Sequence, residues 1–355
     1  IRDSFKYAPK YSLITGESIL HGYHRLNSNL LPIFFLITLC TMFTIQTAVT
    51  IVTAGIANSI FGNLLSVEIW TVIIITFSFL LLLIGKYNTL DKLIKYLILA
   101  LAISTILSFF LAGLNFNGPT ELTQVFPSNS SDIIFLIAFM GWMPAPLDVS
   151  VWNSLWSIEK RKQEQNYSLK NSMFDFDIGY FGTAILGICF IALGSLVMYN
   201  SGETFSNQGG VFANQLINLY TISIGDGAFL IIAIAAFTTM FSTTITCLDA
   251  SPRTMKKTFK LLGFKKIANY NFWIIILALG TLSIFIFFMS EMGLLVKIAT
   301  ILSFITAPFY AIANFKLINS KHTPKEFRPS IYINILSVLG IIFLSCFTIW
   351  YLSIF

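Results

Sequence analysis

The stretch 132–157 is long and apolar enough to cross a lipid bilayer, yet Pro144 and Pro146 lie near its middle. A spanning helix needs about 20 apolar residues. Each proline removes a backbone donor and pushes the residue before it out of helical geometry. Lipid cannot satisfy the freed carbonyls, so a break at this depth must be buried in protein or line a wet cavity. We therefore predict two half-helices that meet at a break over residues 140–146.

The broken span has two interpretations. Half-helices that meet near the middle of the membrane form the substrate sites of many secondary transporters, because one offers free carbonyls and the other a positive N-terminus. The alternative is a simple proline kink in a packed helix. The break alone does not decide between them.

The composition indicates a polytopic membrane protein. Of its 355 residues, 56% are hydrophobic and 11% are charged, whereas about a quarter of the residues of a globular domain are charged. The chain has no nucleophile–base pair at membrane depth and no phosphate loop, so we do not expect an enzyme. Its four cysteines lie far apart in apolar runs, which is typical of core residues. No bound cofactor is predicted.

Charge distribution predicts the orientation. All 22 basic residues except Lys297 lie in or beside five polar stretches, and the alternate connections have none. This is the positive-inside pattern of membrane proteins, so nucleic acid is not an expected partner. The five stretches predicted to face the cytoplasm are 1–30, 86–92, 158–176, 250–270 and 316–329.

Hydropathy predicts an all-α polytopic protein with nine full spans. Residues 1–30 are interpreted as the end of an N-terminal helix and a cytoplasmic connection, and 31–355 as one transmembrane domain. Nine crossings that start inside leave the C-terminus outside. The predicted spans are 31–58, 67–85, 93–113, 132–157, 177–199, 222–248, 271–290, 293–315 and 330–353.

Two residues of the break have side chains that are candidates for function, and each has two interpretations. Asp148 either faces the same cavity or places a favourable charge at the N-terminus of the second half-helix. Met143 is either an adaptable core filler, the commoner role of methionine, or a soft thioether ligand. Beside free carbonyls, a thioether favours Mn, Fe, Co, Ni or Zn over Mg or Ca.

These residues resemble the Nramp family of divalent-metal transporters. Met143 and Pro144 match the family's Met-Pro-His break, whose Met side chain and the carbonyl three residues earlier, here that of Met140, bind the metal. Four further segments resemble the family's second, third, eighth and tenth helices in order and spacing: 10–19, 56–62, 242–246 and 307–309.

The resemblance implies a LeuT-type fold of five-plus-five inverted repeats, in which the nine spans are the family's third to eleventh helices. It also implies a secondary transporter that moves divalent Mn- or Fe-like cations across the cell (inner or plasma) membrane by alternating access. An organic-solute transporter of the amino-acid type with the same fold is the alternative. A degenerate relative that transports nothing is the third possibility. The oligomeric state is not predicted.

Several positions depart from the family pattern. The family's His is Ala145, its acidic pair falls on Gln46 and Val49, and its tenth-helix Gln falls on Thr300. The family's first helix, with its Asp-Pro-Gly-Asn break and two more ligands, has no counterpart, and we expect the sequence to be a fragment. None of these replacements titrates, so proton coupling is predicted to be weak or absent, with Asp148 the one ionisable side chain near the break. The predicted cavity or proton-pathway residues are Asp148, Ala145, Gln46 and Thr300.

Overall fold

The computed structural model describes residues 2–354 except 63, 85–86, 117–128, 144, 165–166, 199–205, 207–208 and 288–290. Within these residues, the chain is almost entirely helical, with two short 3₁₀ turns at Asp226–Ala228 and Lys325–Phe327. Its thirteen α-helices, in chain order, are α1 (Arg2–Thr15), α2 (Ile19–Leu26), α3 (Leu30–Ile60), α4 (Val67–Ile84), α5 (Tyr87–Leu114), α6 (Ser130–Trp142), α7 (Val149–Gln163), α8 (Leu169–Val197), α9 (Gly209–Ile224), α10 (Phe229–Leu261), α11 (Tyr270–Phe287), α12 (Met292–Ile318) and α13 (Ile331–Ile354).

Seven helices of the described chain are long and apolar enough to cross a membrane, namely α3, α4, α8, α10, α11, α12 and α13. The apolar part of α5, Ile98–Leu114, and helix α6 are shorter. Many large apolar side chains of these helices are exposed, for example Leu336, Leu339 and Phe343 on α13. Such a surface is unfavourable in water and favourable in lipid. The chain is therefore an integral membrane protein, and the count of nine spans stays a prediction.

Helix α3 lies at the centre of the bundle and packs against α4, α9, α10, α11 and α12. Its small and hydroxyl-bearing residues let neighbouring helices approach closely. The hydroxyls of Thr47, Thr50 and Thr53 each donate 2.7 Å bonds to carbonyls four residues earlier. Thr53 also lies 2.9 Å from the hydroxyl of Thr244 on α10. The hydroxyl row thus joins α3 to α10.

Helices α1 and α2 are joined by a tight turn and pack into the bundle. α1 ends at Thr15 because Gly16 adopts a φ of 72°, which glycine reaches without strain. One face of α1 is buried against α7 and α12. A buried polar network fixes this packing: Asn314 of α12 accepts a 2.5 Å bond from the hydroxyl of Tyr23 and donates to the Ser4 carbonyl at 2.9 Å and to the Ser150 hydroxyl at 3.1 Å.

We call the end of the bundle at which α3 ends and α6, α10 and α12 begin the outer end, and the opposite end the inner end. The names follow the charge-based prediction. With them, the site can be placed along the membrane normal.

Candidate transport site at the broken helix

The predicted span 132–157 is divided into α6 and α7. Helix α6 ends at Trp142, and Met143 is extended, with φ −104° and ψ 124°. Helix α7 begins at Val149, whose backbone N–H donates to the carboxylate of Asp148 at 3.0 Å. Pro144 lies outside the described residues. The helix break begins at Met143 rather than at Met140, because a proline excludes helical geometry only from the residue directly before it.

Helix α12 passes close to the end of α6 because position 141 is glycine. A Cβ atom at Gly141 would lie 1.9 Å from the backbone oxygen of Thr300. Next to this contact, the indole N–H of Trp142 donates to the hydroxyl of Ser303 at 3.1 Å. The hydroxyl of Thr300 is bonded to its own helix, at 2.9 Å from the carbonyls of Val296 and Lys297. The glycine contact therefore places Thr300 at the break.

A cavity of about 830 Å³ lies on the outer side of the break. Met143, Trp142 and Thr300 line its deep end, and residues of α3, α9 and α10 line its walls. The lining is mostly apolar and aromatic. The end of the Met143 side chain rests on α8, because a Cβ atom at Gly187 would lie 2.0 Å from its methyl carbon and 3.4 Å from its sulfur. Glycine at 187 thus makes room for the thioether.

The other predicted residues do not share this cavity. Ala145 lines a separate cavity of about 470 Å³ between α1, α7 and α8. Gln46 is fully buried and donates 3.2 Å bonds to the Thr50 hydroxyl and the Thr244 carbonyl. Asp148 is 9% exposed and faces a small cavity on the inner side of the break. Of the predicted side chains, only Met143 and Thr300 therefore meet in the outer cavity.

Two lining residues were not predicted as site residues. Met240 of α10 contributes a second thioether, and no sequence pattern distinguished it from an ordinary core methionine. Lys297 of α12 is the charged residue of the described lining. Its position as the exception to the charge pattern was the signal that it faces the outer end. Among the residues described, no cluster of three His, Cys, Asp or Glu side chains is suited to a metal ion.

Comparison with known proteins gives the family. Residues 10–353 match the family described as Nramp, natural resistance-associated macrophage protein-like. An uncharacterized protein of Pasteurella multocida is 35% identical over 356 residues, which cover 98% of this chain and 81% of that protein. Crystal structures of two mutants of the Eremococcus coleocola manganese transporter superpose with TM-scores of 0.69 and 0.68, at 14% identity, over 98% and 97% of this chain and 76% of each of theirs. At that identity the structures show the fold alone, but the family match and the relative agree: this chain belongs to the Nramp family.

Proposed function

We propose that this chain transports divalent transition-metal cations of the Mn and Fe type by alternating access. In this proposal, the Met143 sulfur and the Met140 carbonyl oxygen are ligands. The observation that carries it is the position of Met143, at the helix break and in the wall of a cavity that reaches the break from the outer end.

The prolines leave the Met140 carbonyl free to bind a cation, because they remove its helical hydrogen-bond donor. In an α-helix each carbonyl accepts from the N–H four residues later. For Met140 that residue is Pro144, and for Trp142 it is Pro146, neither of which has an N–H. Both carbonyls therefore lack their helical donor at membrane depth, where an unpaired carbonyl is costly. A cation at the break would offset that cost.

The thioether sets the preference among cations. Hard ions such as Mg²⁺ gain nothing from sulfur, whereas soft and borderline ions do. In this proposal Met143 adds this preference to an oxygen donor, and the end of its side chain occupies the space that Gly187 leaves on α8. The proposed site is thus mixed, with one soft ligand and one hard one.

Alternating access requires that the inner half of the bundle open. There, α1, α2, α7 and α12 are joined by the hydrogen-bond network around Asn314 and by a shared apolar cluster. We propose that these bonds separate when the outer cavity closes.

An organic-solute transporter remains the second candidate, and one observation favours it. The large outer cavity is lined by aromatic side chains with a single cationic residue, Lys297, a combination that fits a small organic anion. Uptake into proteoliposomes distinguishes the two. We expect the full-length protein to take up Mn²⁺, with competition by Cd²⁺ and none by amino acids; uptake of labelled amino acids without metal uptake would favour the alternative.

We further propose that transport is weakly coupled to protons or uncoupled. Ala145, Gln46, Val49 and Thr300 cannot titrate, and a relay needs groups that do. A pH dye inside proteoliposomes, at zero membrane potential, should report little acidification during metal uptake. Proton entry that tracks metal entry and disappears in Asp148→Asn would instead make Asp148 the proton carrier.

A further inference from the structure

A second, much smaller cavity lies on the inner side of the break. Its volume is about 10 Å³, enough for one particle of the size of water. Helices α3, α10 and α12 and the start of α7 enclose it. Its polar lining residues are Thr38, Thr41, Asp148, Ser251 and Tyr310.

Two of the hydroxyls in this cavity have no hydrogen-bond partner within the described residues. They are those of Thr38, which is 7% exposed, and Tyr310, which is 1% exposed. Buried polar groups are nearly always paired, because an unpaired one loses its water without compensation. Both oxygens lie on the wall of one small cavity, so a single bound particle could contact the two of them.

The charge of Asp148 also lacks a partner. No salt bridge reaches its carboxylate from the residues that the structure describes. The N–H of Val149 donates to it, and the positive end of α7 compensates part of the charge. A carboxylate buried at membrane depth still requires a cation or a proton. Its role as the N-cap of α7 does not account for the free hydroxyls across the cavity.

We propose that this cavity binds one hard monovalent cation of the size of Na⁺, held by the Asp148 carboxylate and the hydroxyls of Thr38 and Tyr310. All of these ligands are oxygens, which hard cations prefer. One negative charge balances one positive charge, whereas a divalent ion would leave a net charge in the protein interior. A proton on Asp148 is the alternative neutralising partner, and stabilisation by acid in place of Na⁺ would reveal it. A water molecule would pair the hydroxyls but leave the charge.

The ligands come from three helices that are distant in sequence. Thr38 belongs to α3, Asp148 precedes α7, and Tyr310 belongs to α12. A cation bound between them fastens the second half-helix to the centre of the bundle. This site contains no sulfur and does not depend on the proposed metal site at Met143.

Thermal unfolding of the purified full-length protein tests the site. The melting temperature is measured in NaCl, KCl and choline chloride at equal ionic strength, with EDTA present to remove divalent metals. Na⁺ should raise it in a concentration-dependent way, since a ligand that binds only the folded state stabilises that state. K⁺ should act more weakly and choline not at all. Asp148→Asn should abolish the Na⁺ effect.

Two nearly isosteric variants test the hydroxyls. Thr38→Val and Tyr310→Phe should each weaken apparent Na⁺ affinity about tenfold, because a ligand to a charged group is lost. The controls are Thr47→Val, a buried threonine of the same helix bonded to its own backbone, and Asp226→Asn, an exposed carboxylate at the outer end. Both should keep the wild-type Na⁺ response.

Several results would overturn the proposal. They are the absence of a Na⁺ effect on the wild type, a Na⁺ effect that survives Asp148→Asn, and stabilisation by acid in place of Na⁺. Because EDTA removes transition metals from this measurement, none of these outcomes bears on the proposal for Met143. Conversely, a failure of metal transport would not contradict the Na⁺ site.

Discussion

The two sides of the helix break differ in size and chemistry. On the outer side, Met143 faces a cavity of about 830 Å³ with a mostly apolar wall. On the inner side, Asp148 faces a cavity of about 10 Å³ with five polar residues in its wall. The cause is local: extended backbone at Met143 turns its thioether toward α8, and Asp148 is held inward as the cap of α7. One interruption of a helix thus presents a thioether on one side and a carboxylate with hydroxyls on the other.

The largest expected difference between the outer and inner ends is their accessibility to a reagent added outside the cell. In a variant without native cysteines, Lys297→Cys in the wall of the outer cavity should react with a membrane-impermeant thiol reagent added outside whole cells. Lys325→Cys, in the 3₁₀ turn predicted to face the cytoplasm, should be spared until the membrane is permeabilised. Labelling of position 325 alone would reverse the orientation and the assignment of outer and inner sides.

The backbone contact at Gly141, on the outer side, should make the stability of the protein sensitive to one added methyl group. Gly141→Ala places a Cβ against the Thr300 carbonyl, and such overpacking costs about 1–3 kcal/mol. Gly182→Ala on α8 is the matched control, since nothing lies within 4 Å of a Cβ there. Melting temperatures in detergent compare the two. Equal stability of both variants would mean that α6 and α12 are further apart than described.

A substitution at Gly187 should change the position of the Met143 thioether without changing the stability of the protein. A Cβ there meets only the flexible end of Met143, which can move at little cost. Gly187→Ala should therefore leave the melting temperature almost unchanged while it displaces the thioether and weakens Cd²⁺ binding. Calorimetry with the Gly182→Ala control measures this. Unchanged Cd²⁺ affinity would show that the sulfur position does not matter for binding.

The smallest expected effect concerns the inner end, where His21 lies. Burial and the nearby Lys257 and Arg25 lower the pKa of His21, and Glu17 only partly opposes them. The folded protein thus holds this side chain neutral, and its contribution to stability is lost as pH falls below the unfolded pKa of about 6.5. Melting temperatures between pH 7.5 and 5.5 should fall less in His21→Gln than in the wild type. Parallel curves would contradict this.

The sequence predicted the break but not how the site residues divide around it. Prolines act within about one helical turn of their own position, so the interruption of the span was predictable from Pro144 and Pro146. Whether Asp148 faced the outer cavity depended on the rotation of α7, which packing sets. In the structure it caps α7 and faces a different cavity. The burial of Gln46 likewise depends on its contact with Thr244, far away in the sequence.

The family resemblance predicts Thr300 as a cavity residue; in the structure its backbone oxygen lies against Gly141 and its hydroxyl is bonded to its own helix. The close approach of α12 depends on a single glycine, and a lone glycine in an apolar span does not reveal which helix will contact it. Met240 shows the same limit, since its position in the cavity follows from the packing of α10 against α3 and α9.

We propose that Met143 binds a soft or borderline divalent cation. Calorimetric titration of the full-length protein with Cd²⁺, Mn²⁺ and Mg²⁺ tests it most directly, with Met143→Ala compared with Met240→Ala, which removes the α10 thioether of the same cavity. We expect Met143→Ala to weaken Cd²⁺ binding by about tenfold or more and Mn²⁺ binding less, to leave Mg²⁺ binding unchanged or improved, and Met240→Ala to resemble the wild type. Equal Cd²⁺ affinity in the wild type and Met143→Ala would contradict the claim.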